Sequence, residues 1–447
     1  MNIFILSLFF IIASQFEFAL ARGGCLQESK KNSFGRYTRP IKHTYNPSPS
    51  GHFYIHYDTT GNHAPNLLDS DDDGIPNYVE DAGVIADSAY NVLVNVLGYN
   101  EETWDGEGAY DIYIVQLGVG QYGYSISEGG GKSYMKIDND YIGFNSSFDL
   151  SAKKIMEISL GHEYFHAIQW GYESNKANND YFYEMSSMWF EDVLIPDGND
   201  YLDGWVDAFL YNPDSPFNSP PDGYGYCWAL FGHYLSSYLD TKGVESAENS
   251  TIIKEVWERY NNPNSNSSNA LNALDYVLES NYNISFIDAW VDFVSRNLFN
   301  GLDDKFYYYI DQELIDPISY SIKELSESIT IDLNANSANI ESFYTGSDNS
   351  LYMTHSINDY IGSIAVLGSN ENALHISSNN TSINEFNVVH FIYGSENEDS
   401  VTIKMFDYYP YNYSLVDLNP NSDSYLDTID STFLKNKLTI HYFGHQY

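Results

Sequence analysis

The residues with the clearest chemical content are His162, Glu163 and His166, in the run Gly161-His162-Glu163-Tyr164-Phe165-His166. Histidines four apart share one face of a helix, and the glutamate beside the first can accept a proton, so His-Glu-x-x-His on a helix points to a zinc site with its own general base. In a chain of 447 residues holding 12 histidines the pattern arises by accident roughly 0.02 times. Two unrelated surface histidines are the bland alternative. Against it, an N-cap signal at Asp149 is followed by Ile155, Ile158, Phe165 and Ile168 at helical spacing, which predicts that the motif lies inside a helix.

Two imidazoles do not complete a tetrahedral site, so a third protein ligand is required and the fourth position is left for water. A third histidine in His-Glu-x-x-His-x-x-Gly-x-x-His is excluded, because Gln169 and Tyr172 occupy the positions it needs. The alternative is a glutamate on a later helix. Glu184 follows His166 after 17 residues, enough for one helix to end, turn and return antiparallel. Glu191, one heptad beyond Glu184 and on nearly the same helical face, is the competing ligand, or else the group that orients a metal-bound imidazole.

These residues resemble the gluzincin class of zinc metallopeptidases, the thermolysin-like and aminopeptidase N-like enzymes. The closest likeness is to secreted bacterial members in which His-Glu-Tyr-Phe-His-Ala-Ile-Gln precedes an aromatic-x-Glu, here Phe182-Tyr183-Glu184, and Trp-x-Glu-Asp, here Trp189 to Asp192. The resemblance spans roughly residues 60 to 300. It implies catalytic zinc on His162, His166 and Glu184, with Glu163 as base and a peptide or protein as substrate. It also implies a small sheet roofing the zinc helix, whose edge strand aligns the substrate by main-chain pairing. An oxyanion donor is expected from Tyr226 or Tyr224, with His233 as third choice. Met188 departs from the thermolysin-like pattern, which places a histidine-orienting carboxylate at that position. That departure keeps a second reading in play, a calcium-stabilised binding or adhesion protein on a degenerate peptidase frame. Zinc-dependent hydrolysis of a non-peptide amide or ester is a third.

A second motif runs from Asp69 to Glu80. Asp69, Asp71 and Asp73 at positions 1, 3 and 5, Gly74 at 6, the Ile75 carbonyl at 7, Asn77 at 9 and Glu80 at 12 form an oxygen cage of the type that holds calcium. An acidic turn without an ion is the alternative. A helix from about Asn77 to Leu97 should follow, burying Ile85, Ala89, Val92 and Val96 and stopping at Gly98.

The elements that must position these groups set the fold expectation: an α+β, zincin-like catalytic domain over residues 59–327, with a small sheet over a helical half and the His-Glu-x-x-His helix between them. Strands are predicted at Ala109 to Leu117 and Ser133 to Asp138, separated by a glycine-rich hairpin or loop, and Trp205 to Tyr226 reads as a cleft-lining loop. Helices are predicted from Tyr226, at Ile252 to Tyr260, at Ala270 to Leu278 and at Phe286 to Leu298. From about Ser328 short apolar runs divided by polar turns predict an all-β sandwich over 328–447.

The apolar run from Ile3 to Ala13, ending in Ala19-Leu20-Ala21, reads as a signal peptide over 1–21 and implies secretion. Residues 22–58 read as an arm or short pro-segment. A formal charge of -42 disfavours nucleic acid and anionic lipid as partners, and no other run suggests stable membrane insertion. Two cysteines, Cys25 and Cys227, allow at most one disulfide and fit no zinc-ligand spacing.

Overall fold

Alternation is visible at once in the first half of the chain, where Phe53, Ile55 and Tyr57 are buried and Tyr54 and His56 only half so, the period-two signature of a strand packed on one face. The computed structural model describes residues 26–28, 38–104, 106, 108–143, 148–172, 178–240, 249–262, 269–323, 328–344, 351–357, 363–368, 380–382, 388–407, 414–416 and 428–430. The expected signal peptide and Cys25 lie outside them. The architecture is α+β.

Six strands form a mixed sheet: β1 (Leu26–Glu28), β2 (Thr44–Pro47), β3 (Phe53–Tyr57), β4 (Tyr110–Ile114), β5 (Gly123–Gly129) and β6 (Lys132–Ile137), in the order β1-β5-β6-β4-β3-β2. The ladders β3/β4 and β4/β6 are parallel, whereas β5 runs antiparallel to β6 through a hairpin closed by Gly129, Gly130 and Gly131, all at positive φ. The stretch 22–58 is more than an arm, since it supplies three strands and β3 sits inside the sheet. The glycine-rich stretch before Ser133 does form a hairpin, and its first arm is a strand not singled out from the sequence, where Tyr124, Ile126 and the small Ser125 and Ser127 suit a pleated, buried surface. The arm is also pinned by charge: Arg39 pairs with Asp111 and Glu128, on β4 and β5.

Helix α1 (Asn77–Tyr90) continues as a π-helical stretch, Asn91–Val96, and ends at Gly98 with φ 74°. The wider turn rotates the apolar stripe by one residue, so Leu93 and Leu97 are buried while Val96 is exposed and Val92 half-buried, contrary to the α-helical expectation. Helix α2 (Ala152–Tyr172) packs against β5, β6 and α1. Its first turn is capped by Ser151, whose Oγ accepts the Lys154 N–H at 3.2 Å, rather than by Asp149. Helix α3 (Asp180–Leu194) returns alongside it.

The helical half continues with α4 (Trp205–Tyr211), within the stretch read as a loop, where Trp205, Val206, Phe209 and Leu210 bury a helical face. Then come α5 (Ala229–His233), which opens with a 3-10 turn at Tyr226–Trp228, α6 (Ile252–Asn261), α7 (Ala270–Val277) and α8 (Phe286–Asn297). Beyond it, β7 (Ile322–Lys323), β9 (Ser337–Tyr344), β11 (Ser363–Gly368) and β13 (Val388–Ser395) form one four-stranded sheet. A second holds β8 (Ser328–Leu333), β10 (Leu351–Ile357), β12 (Asn380–Ser382) and β14 (Asp399–Asp407). The first packs directly on α8: a Cβ at Gly394 would lie 2.5 Å from Val291 Cγ2, so this strand approaches the helix as closely as a bare backbone allows. Among the described residues no helix is long and apolar enough to cross a membrane.

Candidate metal centre

Helix α2 is buried on almost every face from Ile158 to Trp170, so His162, Glu163, His166 and Gln169 project into packed protein rather than water. What fills the space opposite is α3. At Gly161 the Leu194 side chain of α3 packs onto the bare backbone of α2, where a Cβ would lie 2.8 Å from Leu194 Cδ2. This brings Glu184 over the two histidines: its Oε2 is 3.2 Å from His162 Nε2 and 3.2 Å from His166 Nε2. A tetrahedral site with bonds of about 2.0 Å has edges of about 3.3 Å. The two nitrogen–oxygen edges match that spacing, and the three ligand atoms, on buried side chains, lie within 4.8 Å of one another. The donor set fits zinc.

The opposite ring nitrogens are engaged too. His162 Nδ1 is 2.6 Å from Glu191 Oε1. His166 Nδ1 is 2.7 Å from Gln169 Oε1 and 3.1 Å from Ser187 Oγ, while Gln169 Nε2 donates to the Tyr183 carbonyl and to Ser187 Oγ. Because Gln169 is fixed as donor through its nitrogen, its oxygen can only accept, which puts the proton on His166 Nδ1 and leaves the Nε2 lone pair facing Glu184. Glu191 does the same for His162. Burial pushes His166 below its ordinary pKa, against the raising effect of Glu184. For Glu184 burial pushes upward, yet the His166 and His162 imidazoles outweigh it and hold the carboxyl well below the usual range. Neutral imidazole and ionised carboxylate are the forms a metal takes.

The choice between the two glutamates is thereby made by geometry. Glu184 faces the Nε2 pair, and Glu191 meets the other side of the His162 ring. Met188, one turn after Glu184, is fully buried and apolar, so the orienting carboxylate expected there stands at Glu191 instead. No family model matches this chain and no curated protein matches it, so the reading of the site rests on its own atoms.

Glu163 lies under β5. A Cβ at Gly123 would come within 2.6 Å of Glu163 Cγ and 3.1 Å of its Oε1, so glycine is what lets the strand pass over the carboxylate. Sequence reasoning missed Gly123, Gln169 and Ser187. Gln169 carried a signal, three residues after His166 on one helical face; Gly123 carried none.

The Tyr226 ring is buried 6.2 Å from the His162 ring and 4.6 Å from Trp205. Half-buried Tyr224 stands 5.6 Å beyond it. His233 is stacked on Tyr309 at 4.4 Å with Nε2 3.5 Å from Asp192 Oδ2.

At the acidic loop Asp69, Asp71 and Asp73 gather oxygens within 4.8 Å of one another. Gly74 has φ 93°, as the sharp turn demands, and donates to Asp69 Oδ2 at 2.8 Å. Burial, then the charges of Asp71, Asp73, Asp69 and Asp81, raises the Glu80 pKa. Asn77 is bonded to Ser70 of the same loop. Its Oδ1 accepts from Ser70 N and its Nδ2 donates to Ser70 Oγ, at 2.9 and 2.7 Å. One expected edge is also altered: β1 pairs in parallel with Ser125 to Ser127, so this part of the β5 edge carries a segment of the chain itself.

Proposed function

We propose that the protein is a secreted zinc metallopeptidase of gluzincin type, an endopeptidase whose zincin-like half is followed by a β-sandwich accessory domain. The observation that carries this is the convergence of His162 Nε2, His166 Nε2 and Glu184 Oε2 at 3.2 Å, with each imidazole held from behind. Zinc held by these residues supplies Lewis acidity, acidifying a water and polarising the scissile carbonyl.

The remaining work falls to the chain. Glu163, beside the ligand pair and pressed against the β5 backbone, takes the proton of the attacking water and returns it to the leaving amine. Tyr226, with Tyr224 behind it, is the donor candidate for the developing oxyanion. Glu191, Gln169 and Ser187 keep the imidazoles in register through the cycle. The β5 edge offers main-chain partners to an extended peptide, and β1 must leave for that pairing to extend over Ser125 to Ser127. The Asp69 loop holds a structural calcium through its three aspartates.

The decisive experiment is Glu163→Gln, assayed by mass-spectrometric mapping of cuts in an unfolded protein mixture alongside zinc analysis. Full zinc content with hydrolysis reduced by about 10²- to 10⁴-fold is expected; unchanged turnover would end the proposal. Starting the chain at residue 38, which removes β1 and keeps Arg39, should raise turnover of long peptides relative to a start at residue 22.

A further inference from the structure

The chain reaches Tyr226 from α4 through residues 212–225, a stretch rich in proline, aspartate and glycine that forms neither helix nor strand. Such a stretch keeps one shape only where other parts of the molecule bond its backbone. Around Tyr226 the bonds are local. Asp222 accepts the backbone N–H groups of Tyr224, Gly225 and Cys227 at 2.9, 2.7 and 2.7 Å, so one carboxylate closes the turn. Gly225, at φ 107°, lies against α3: a Cβ there would sit 2.4 Å from the carbonyl oxygen of Tyr181, three residues before Glu184. The Tyr226 ring is thereby set between Trp205 and His162.

Further back, the same stretch is held by the C-terminal sheets. Phe217 is fully buried, its ring centroid 5.1 Å from that of Tyr181 on α3, 5.3 Å from Phe231 on α5 and 5.3 Å from Trp290 on α8. Its carbonyl accepts the indole N–H of Trp228, two residues after Tyr226, at 2.9 Å. Its own N–H donates to the carbonyl of Asn336, in the turn between β8 and β9, at 2.9 Å. That turn holds Asn336 at φ 56° and is tied to β13 by the Asn336 N–H, which donates to the Ser395 carbonyl at 2.7 Å. Beside Ser395, Gly394 brings β13 against Val291 and Ile287 of α8. At the end of α4, the Ser319 N–H donates to the Leu210 carbonyl at 2.8 Å, so the approach to β7 grips the other end of the stretch.

We propose that the C-terminal sheets brace the metal centre: through the backbone bond from Phe217 to Asn336 they fix the stretch that sets Tyr226 beside His162. Asn336 and Phe217 are then positioning residues for the oxyanion donor. A module that only captured substrate needs no more than a tether. This one supplies a hydrogen bond to the stretch itself, at a residue whose carbonyl is bonded two positions beyond Tyr226. A donor aimed at a developing charge works only if its supporting shell holds it in place. The catalytic consequence rests on the reading of Tyr226 as that donor; the brace itself does not.

The test is made in the full chain loaded with zinc. Asn336→Val puts a β-branched residue at a positive φ, where it is strained, and so displaces the carbonyl that Phe217 bonds. Asn336→Gly takes that φ freely and is the control. Hydrogen exchange over residues 217–228, followed by mass spectrometry, reads the brace without reference to turnover: exchange at least about 10-fold faster is expected in Asn336→Val, and wild-type rates in Asn336→Gly. With labelled casein as substrate, Asn336→Val should lower kcat about 10-fold and leave KM and zinc affinity unchanged. Tyr226→Phe alone should cost about 10²-fold, and adding Asn336→Val to it should cost nothing more, because the donor is already gone. Unchanged exchange over 217–228, unchanged kcat despite faster exchange, or an equal loss of kcat in both backgrounds would overturn the proposal. Gly394→Ala, which drives β13 off α8, should reproduce both effects and decides the matter if Asn336→Val fails to fold. A wild-type chain that binds zinc and cleaves no casein sinks the peptidase reading instead, and exchange then decides the brace alone.

Discussion

The His162/His166/Glu184 centre and the Asp69–Asp73 loop are the two clusters that the chain displays as motifs, and they are built in opposite ways. In the first, every donor is buried and sits on a helix of at least 15 residues, and both imidazoles are held from behind by a hydrogen bond. In the second the aspartates stand largely in water on a turn, and part of their bonding capacity is spent on the loop's own backbone, as with Asp73 Oδ1 and Ile75 N–H at 2.8 Å. A site that must present one fixed geometry to reacting atoms needs packing to set it. An ion that only pins a loop tolerates adjustment, because calcium accepts variable coordination. The difference is one of preorganisation, and it predicts that substitutions in the first cluster act on chemistry and metal affinity, while those in the second act on stability.

That contrast can be broken. The largest effect should come from Gly123→Ala, which forces a methyl against Glu163 and the Lys136 carbonyl. Turnover should fall by about 10²-fold with zinc content unchanged, since a displacement of about 1 Å at a catalytic group costs that much; a normal kcat would mean Glu163 is not the base. Next is Glu191→Gln, expected to weaken zinc binding about 10- to 100-fold in competition with a chelator, because the His162 ring loses a charged partner and its fixed tautomer. A third, Gln169→Leu, leaves His166 Nδ1 leaning on Ser187 alone, and should cost about 1–3 kcal/mol in thermal unfolding of the metal-free chain. Smallest is Asp71→Asn with Asp73→Asn. It should lower the thermal midpoint by a few degrees in calcium, about 1 kcal/mol for a chain of this size, and leave zinc affinity untouched. A loss of zinc in that variant would erase the distinction between the clusters.

Helix existence was legible wherever burial repeated at helical spacing, as at Ile252 to Asn261 and Phe286 to Asn297, and strands after Ser328 were legible from short apolar runs between polar turns. The errors have specific causes. The π-helical turn at Asn91–Val96 changed the period and so the buried face. Strand β5 was hidden by its glycines and serines, which local propensity assigns to loops but which here admit Glu163 beneath and a neighbouring strand beside. Helix α4 was masked by the proline, glycine and aspartate around it.

The motif chemistry was determined by sequence alone: His-Glu-x-x-His fixes two imidazoles and a carboxylate on one helical surface because helical geometry repeats locally. Which later glutamate faces them was decided only by tertiary structure. Glu184 and Glu191 share a helical face seven residues apart, and the packing of α3 on α2 places one against the Nε2 atoms and the other behind the His162 ring. Local periodicity can encode what lies within one element, but convergence between elements depends on how their buried faces fit.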